Sequence, residues 1–215
     1  MANFLKYTAK QFEQLMEQIY SGSITPRRLP VDLYATIYDR LKNAVDRGMG
    51  AVEFDVGSPD DVLSRYYKHN IGVFSGAKTH QQVKDMSNFV FTADGFKRDF
   101  SEFKQYSKKI FGQYNDAWLR TEYDTAFRTA QMGRQWNEYI QDADVFPYLK
   151  YVTAHDERVR HDHQQFDGIT LPIGHKFWNT HTPPNGFNCR CRLIQLSDDD
   201  NPVMSDPGVV DGLPR

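Results

Sequence analysis

The residues best suited to metal chemistry in this chain sit close together. Between Tyr151 and Arg192 stand five of its seven histidines (His155, His161, His163, His175 and His181) and both of its cysteines, Cys189 and Cys191. In an extended chain, residues two apart face the same side. Cys189 and Cys191 then aim both sulfurs at one point while Arg190 faces away, and His161 and His163 stand in the same relation. A structural zinc takes four nitrogen or sulfur ligands in a tetrahedron, and one pair from each end of the stretch would supply them. The alternative is two small buried thiols and several solvent-facing histidines. A Cys189–Cys191 disulfide is disfavoured, because so small a ring strains the bond geometry.

The same stretch contains Pro172, Gly174, Pro183, Pro184 and Gly186, so no long helix runs through it. Its scaffold must be short strands. Tyr148 to Thr153, Gly168 to Leu171 and Cys191 to Leu196 have β-propensity and predict a small antiparallel sheet docked on a helix. Asp167-Gly168 predicts a tight turn with Gly168 at positive φ. Upstream the chain reads as helices. Thr8 and Gln11 form a capping-box pattern ahead of Phe12, Leu15, Met16 and Ile19, with Gly22 as a stop. Leu33, Ile37, Leu41 and Val45 share one helical face up to Gly48. Ser58-Pro59-Asp60-Asp61 is a helix start, and further helices are expected over 76–89 and 99–111. The longest helix is expected over 114–139, with Ala126, Ala130 and Gly133 as small residues that let another helix approach. Arg120 and Glu122 on it read as solvated or rim positions. After Ser197 periodicity ends in Asp198-Asp199-Asp200, an acidic flexible tail.

The resulting fold class is α+β: a mainly helical body over 1–147, a small C-terminal antiparallel β module over 148–197 that a zinc could staple, and a tail over 198–215. An apolar fraction of 40% and fifteen phenylalanines supply a core, which excludes global disorder. A net charge of −2 argues against a nucleic-acid binder that relies on bulk electrostatics. Two neighbouring cysteines are not the framework of a disulfide-rich secreted protein. No apolar stretch has signal-peptide or membrane-span length, so no membrane partner is expected.

Read in order, Asp156-x-Arg158-Val159-Arg160-x-x-His163, Phe166-Asp167-Gly168, Phe177-Trp178 and Pro183-Pro184-Asn185-Gly186-Phe187-Asn188-Cys189-Arg190-Cys191 resemble the C-terminal signature of the phage Mu F-like minor head proteins, the head-morphogenesis proteins of tailed phages and prophages. The runs FSGAKTHQQVKDM and LRTEYDTAFRTAQMGRQW are also similar to members of this family, so the likeness reaches from about Phe74 to Leu196. The family's histidine corresponds to His163 and its Cys-Arg-Cys to residues 189–191. The expected metal ligands are therefore His163, Cys189 and Cys191, with His181 as the fourth because the Pro183-Pro184 bend turns its segment back towards the cysteines. His161 is the reserve, and His175 is not a ligand.

The resemblance implies a structural role, not an enzyme with a catalytic residue. It points to a minor head protein acting in capsid assembly and in DNA packaging or delivery, associated with the portal and capsid components and touching packaged DNA. The implied location is the virion head, after synthesis in the bacterial cytoplasm. A metal-dependent nuclease of His-Asn-His type is the competing reading. It would use His155-Asp156, His161, His163, His181 and Asn188, with Arg158, Arg160, Arg190 and Arg192 on phosphate oxygens. Against it, the spacing is wrong for that fold, and the arginines have Asp156, Asp162 and Asp167 nearby as partners.

Overall fold

The computed structural model describes residues 4–213. The chain forms two compact units, the first running to Val45 and resuming over Arg65–Asp124, the second made of Asp46–Ser64 and the chain from Thr125 on. A division by chain order at residue 147 is crossed by these units, because the second takes in part of the helical chain as well as the strands.

The helices follow their local signals. Helix α1 (Ala9–Ser21) opens on the expected capping box, with the Thr8 side chain accepting from Gln11 N, and closes on Gly22 at φ 81. Helix α2 is Val31–Gly48, and Leu33, Ile37, Leu41 and Val45 are all buried on its inner face. Helix α3 runs unbroken over Pro59–Ser87, so the two helices expected there are one, and it rather than the segment at 114–139 is the longest. Gly72 and Gly76 do not interrupt it. A Cβ at Gly72 would lie in ordinary contact with Tyr34 and Tyr38, and one at Gly76 with Tyr34, so neither position requires glycine. Helix α4 (Phe100–Gly112) passes through a π-helical segment, Gln113–Trp118, into α5 (Leu119–Gln141).

In the first unit, Leu15, Met16 and Ile19 of α1, Leu33, Ile37 and Leu41 of α2, Val83 and Met86 of α3, and Phe103 of α4 are buried. Alongside them α3 buries a polar row, Ser75, Lys78, Thr79 and Gln82, spaced to share one helical face. Lys78 Nζ meets the Glu122 carboxylate at 2.8 Å with both side chains mostly buried, which corrects the expectation of a solvated or rim Glu122.

In the second unit three strands pair antiparallel in the order β2-β1-β3, where β1 is Tyr148–Val152, β2 Thr170–Pro172 and β3 Arg192–Leu196. Leu149 faces Leu171 and Gln195, and Tyr151 faces Leu193. Met132, Trp136 and Tyr139 of α5 pack with Leu149, Tyr151, Leu171 and Leu193 in one core, so the sheet docks on a helix as expected. Tyr139 Oη donates to Leu193 O and Gln195 Nε2 to Tyr139 O. The small residue Ala130 is buried, and a Cβ on Gly48 would overlap its Cβ and the Phe127 carbonyl; this is the close helix approach predicted for that face. Ile140, at the last turn of α5, is exposed. The acidic tail expected to be flexible returns to the sheet. Ser205 N donates to Thr170 O at 3.0 Å, Thr170 N to Ser205 Oγ at 3.1 Å, and Val210 of α8 (Pro207–Val210) is buried in the core.

Candidate metal centre

The site grows from two turns. The first follows β1. Asp167 Oδ1 accepts from Thr153 N at 2.8 Å and from Thr153 Oγ1 at 2.9 Å, and His155 Nε2 lies 2.9 Å away. These contacts tie the Asp167-Gly168 turn to the end of β1, and Gly168 has the expected positive φ, 79°. Burial opposes ionisation of Asp167, yet the Thr153 and His155 hydrogen bonds hold its pKa below the ordinary value. Directly before this turn, the short helix α6 (His161–Gln164) carries His163 inward. Its ring is buried beside Phe166, which meets Tyr151 edge-on at 5.6 Å.

The second turn precedes β3. Gly186 at φ 89 and Asn188 at φ 59 reverse the chain, conformations that glycine and asparagine tolerate best. The Arg160 guanidinium donates to Phe187 O at 3.1 Å and to Asn185 O. Asn185 Nδ2 donates to His181 O and to the Tyr151 hydroxyl. Side chains of the first turn and of β1 thus hold the carbonyls and amide of the second.

The outcome is one ligand group among the described residues: His163, Cys189 and Cys191, with donor atoms all within 4.8 Å of one another. His163 Nδ1 lies 3.8 Å from Cys189 Sγ and 3.6 Å from Cys191 Sγ. Zinc–nitrogen bonds near 2.05 Å and zinc–sulfur bonds near 2.3 Å at tetrahedral angles separate nitrogen from sulfur by about 3.6 Å, so the three donors fit a zinc. The neighbouring Cys191 thiol lowers the Cys189 pKa to about 5 against the cost of burial, and Cys191 is itself pushed up beside Cys189. Burial, then the contact with Cys191, pushes Tyr151 up, so it stays a phenol.

One contact fixes the histidine tautomer. Arg160 Nη2 lies 2.9 Å from His163 Nε2. A guanidinium only donates, so Nε2 must accept there and Nδ1 must carry the proton that faces the sulfurs. A metal on Nδ1 would move that proton to Nε2 and break the contact.

The other predicted residues lie elsewhere. His181 sits in α7 (Trp178–His181), a helical turn. Its ring stacks on Phe177 at 4.2 Å and meets Phe166 edge-on at 4.9 Å, with Nδ1 2.9 Å from Thr180 Oγ1. It is not among the three grouped donors. His161 is exposed on α6, and His175 Nδ1 accepts from Phe177 N. Arg190 pairs in bidentate fashion with Asp156 at 2.5 and 2.6 Å, holding that carboxylate down to about 2. Asp167 is paired by His155 and Thr153 and not by an arginine. The role of Arg160 against His163 escaped the sequence reading, although its position three residues before His163 on a helical start was a usable signal.

Two cavities adjoin the donors. One of about 240 Å³ is lined by all three of them and by Arg158, Arg160 and Arg190. The other, of about 330 Å³, is lined by both cysteines with Arg128, Gln131, Gln135 and Arg192.

A family model described as Phage Mu protein F like protein matches residues 35–194. The chain is similar to the putative capsid assembly protein F of Escherichia phage Mu, 39% identical over 79 residues, which are 37% of this chain and 18% of that protein. It is also similar to the Mu-like prophage FluMu F protein of Haemophilus influenzae, 35% identical over 80 residues, covering 37% and 18%. The matched part thus spans under a fifth of the length of these relatives. No solved structure matches the chain.

Proposed function

Because this chain belongs to the family of Phage Mu protein F like proteins, we propose that it is a minor head protein of a phage or prophage and acts in head assembly. The observation that carries this reading is the family match over 35–194, supported by a relative named for capsid assembly. In this reading its partners are the portal and capsid components, with a role in DNA packaging or delivery and contact with the packaged DNA. It is made in the host cytoplasm and works in the virion head as a structural component without turnover. No helix among the described residues is long and apolar enough to cross a membrane. Co-expression with the cognate portal protein, followed by size exclusion, tests the partnership. Comigration is expected, and separate elution at micromolar concentration overturns the portal association.

The second part of the reading is that His163, Cys189 and Cys191 hold a zinc. Its role is structural, tying the turn after β1 to the turn before β3 in a region with few ladder hydrogen bonds, so that binding energy becomes folding energy. The distances between the donor atoms support it. Elemental analysis of protein purified without a histidine tag should give close to one zinc per chain. A content below about a tenth of that would mean that the cysteines are buried thiols.

A further inference from the structure

The His163, Cys189 and Cys191 donors do not point into packed core. All three line the same cavity of about 240 Å³, and no fourth histidine, cysteine, aspartate or glutamate joins their group among the described residues. The chemistry of that cavity is one-sided. A zinc dication with two thiolates and a neutral imidazole would carry no net charge, and the remaining polar wall is Asn188 with the three cations Arg158, Arg160 and Arg190. Arg190 is neutralised by Asp156 and Arg160 has Asp162 at 3.9 Å. The Arg158 guanidinium lines the same space outside any ion pair among the described residues, and the carboxylate it acts on, Asp156, is already held by Arg190.

We infer that the metal centre is a three-ligand site whose fourth position opens into this cavity and accepts a carboxylate from an acidic side chain of a partner polypeptide. The inference rests on the zinc reading above. Carboxylate oxygen is an ordinary fourth ligand for zinc beside sulfur and nitrogen. It would add one negative charge beside Arg158, whose planar fork matches a carboxylate. A cavity of about 240 Å³ has room for a carboxylate-bearing side chain beside the three donors. The centre would then be completed by assembly itself, and the turn that carries Cys189 and Cys191 would be held most firmly when a partner is docked.

Cobalt(II) tests this in the full-length chain, because its visible bands report the ligands around the metal. The protein should take up cobalt with thiolate charge-transfer and tetrahedral bands, and acetate should shift those bands saturably. Arg158→Gln should weaken acetate binding about tenfold with cobalt content unchanged, and His181→Ala should leave both the bands and the acetate response as they are. Cobalt bands that ignore acetate overturn the open position. So does a variant such as His181→Ala that makes silent bands respond, since it would identify an internal fourth ligand. A shift with dimethyl phosphate but not with acetate overturns the carboxylate and favours a nucleic-acid backbone. Failure to take up cobalt or zinc at all overturns the metal reading itself, a different outcome from bound but unresponsive cobalt.

Discussion

The two units bury polar groups in opposite ways. In the first, the ion pair Lys78–Glu122 sits inside a helical bundle, flanked by Tyr114 and Trp118 at 5.2 and 6.0 Å from Lys78 Nζ. Beside it Ser75 Oγ and both amide atoms of Gln82 are buried without a hydrogen-bond partner among the described residues. In the second, His163 and the two cysteines stand at the wall of an open cavity, held by turns with residues at positive φ. Burial in the helical unit opposes the charges it encloses, so Glu122 is raised and Lys78 lowered by desolvation despite their pairing. In the β unit the charges shift each other through short contacts at the surface. Charged groups inside a continuous helical scaffold are sealed by their surroundings, so each depends on its counter-charge. Polar groups on turns depend on one another, and on an added ligand, to keep their geometry.

The sharpest break of this comparison is at Glu122. Glu122→Gln leaves Lys78 buried without its counter-charge, which should cost about 3–5 kcal/mol in urea unfolding. Replacing both partners by Lys78→Met with Glu122→Leu should recover most of that loss. Zinc content should follow neither variant. A normal midpoint for Glu122→Gln would show that the pair is solvated and the contrast between the units is false.

Metal removal is the corresponding test of the second unit. Chelation should lower the stability of the wild-type chain, by about 2.7 kcal/mol when free zinc had stood at a hundred times its dissociation constant. Cys189→Ser and Cys191→Ser should start near the chelated level and not respond to the chelator. Hydrogen exchange should place the loosening in 151–196 and leave the amides of α1 and α4 protected. Uniform loosening of the whole chain would show that the staple is not local.

How far these two sites could be read from the sequence follows from how local each one is. Thr8 with Gln11, and Asp167-Gly168, are complete within four residues, and both formed as predicted. Cys189 and Cys191 met the histidine of α6 because a spacing of two and a matching motif named all three. His181 was placed by assuming an extended segment ahead of Pro183-Pro184. Trp178–His181 turned out to be helical, and that rotates the ring onto Phe177 and Phe166. The pair Lys78–Glu122 joins residues 44 positions apart on different helices, and no pattern within either helix states that the two faces meet. Gly76, read as a helix start, lies inside the continuous helix α3, since a single glycine lowers helix propensity without ending a helix.

Gly168→Val sharpens the contrast at smaller scale. No atom lies within 4 Å of a Cβ built there, so the cost is backbone strain at φ 79 alone, about 1–3 kcal/mol. The loss should appear in the β unit, with weaker zinc retention, and should spare the helical unit. Unchanged stability and zinc content would show that the turn relaxes freely and does not hold His163 in place.

The smallest effect is expected at Asp156. Its bidentate contact with Arg190 is exposed, and exposed pairs contribute little, so Asp156→Asn should barely move the unfolding midpoint at neutral pH. The pH dependence carries the information. The folded pKa is depressed from the ordinary 3.8 to about 2, chiefly by the Arg190 hydrogen bonds. A depressed carboxylate contributes stability that is present above its unfolded pKa and lost as pH falls through its folded pKa. The small difference between wild type and Asp156→Asn should therefore be constant from pH 7 down to about 4 and close only towards about 2. Zinc leaves on a different schedule, because protons compete with it for His163 and the thiolates at much higher pH. Titrating both proteins from pH 7 to 4 should show equal zinc loss and equal loosening of 151–196. If Asp156→Asn instead releases zinc at a higher pH than wild type, the Asp156–Arg190 pair is holding the Cys189–Cys191 turn in its ligating shape, and the surface pair belongs to the site.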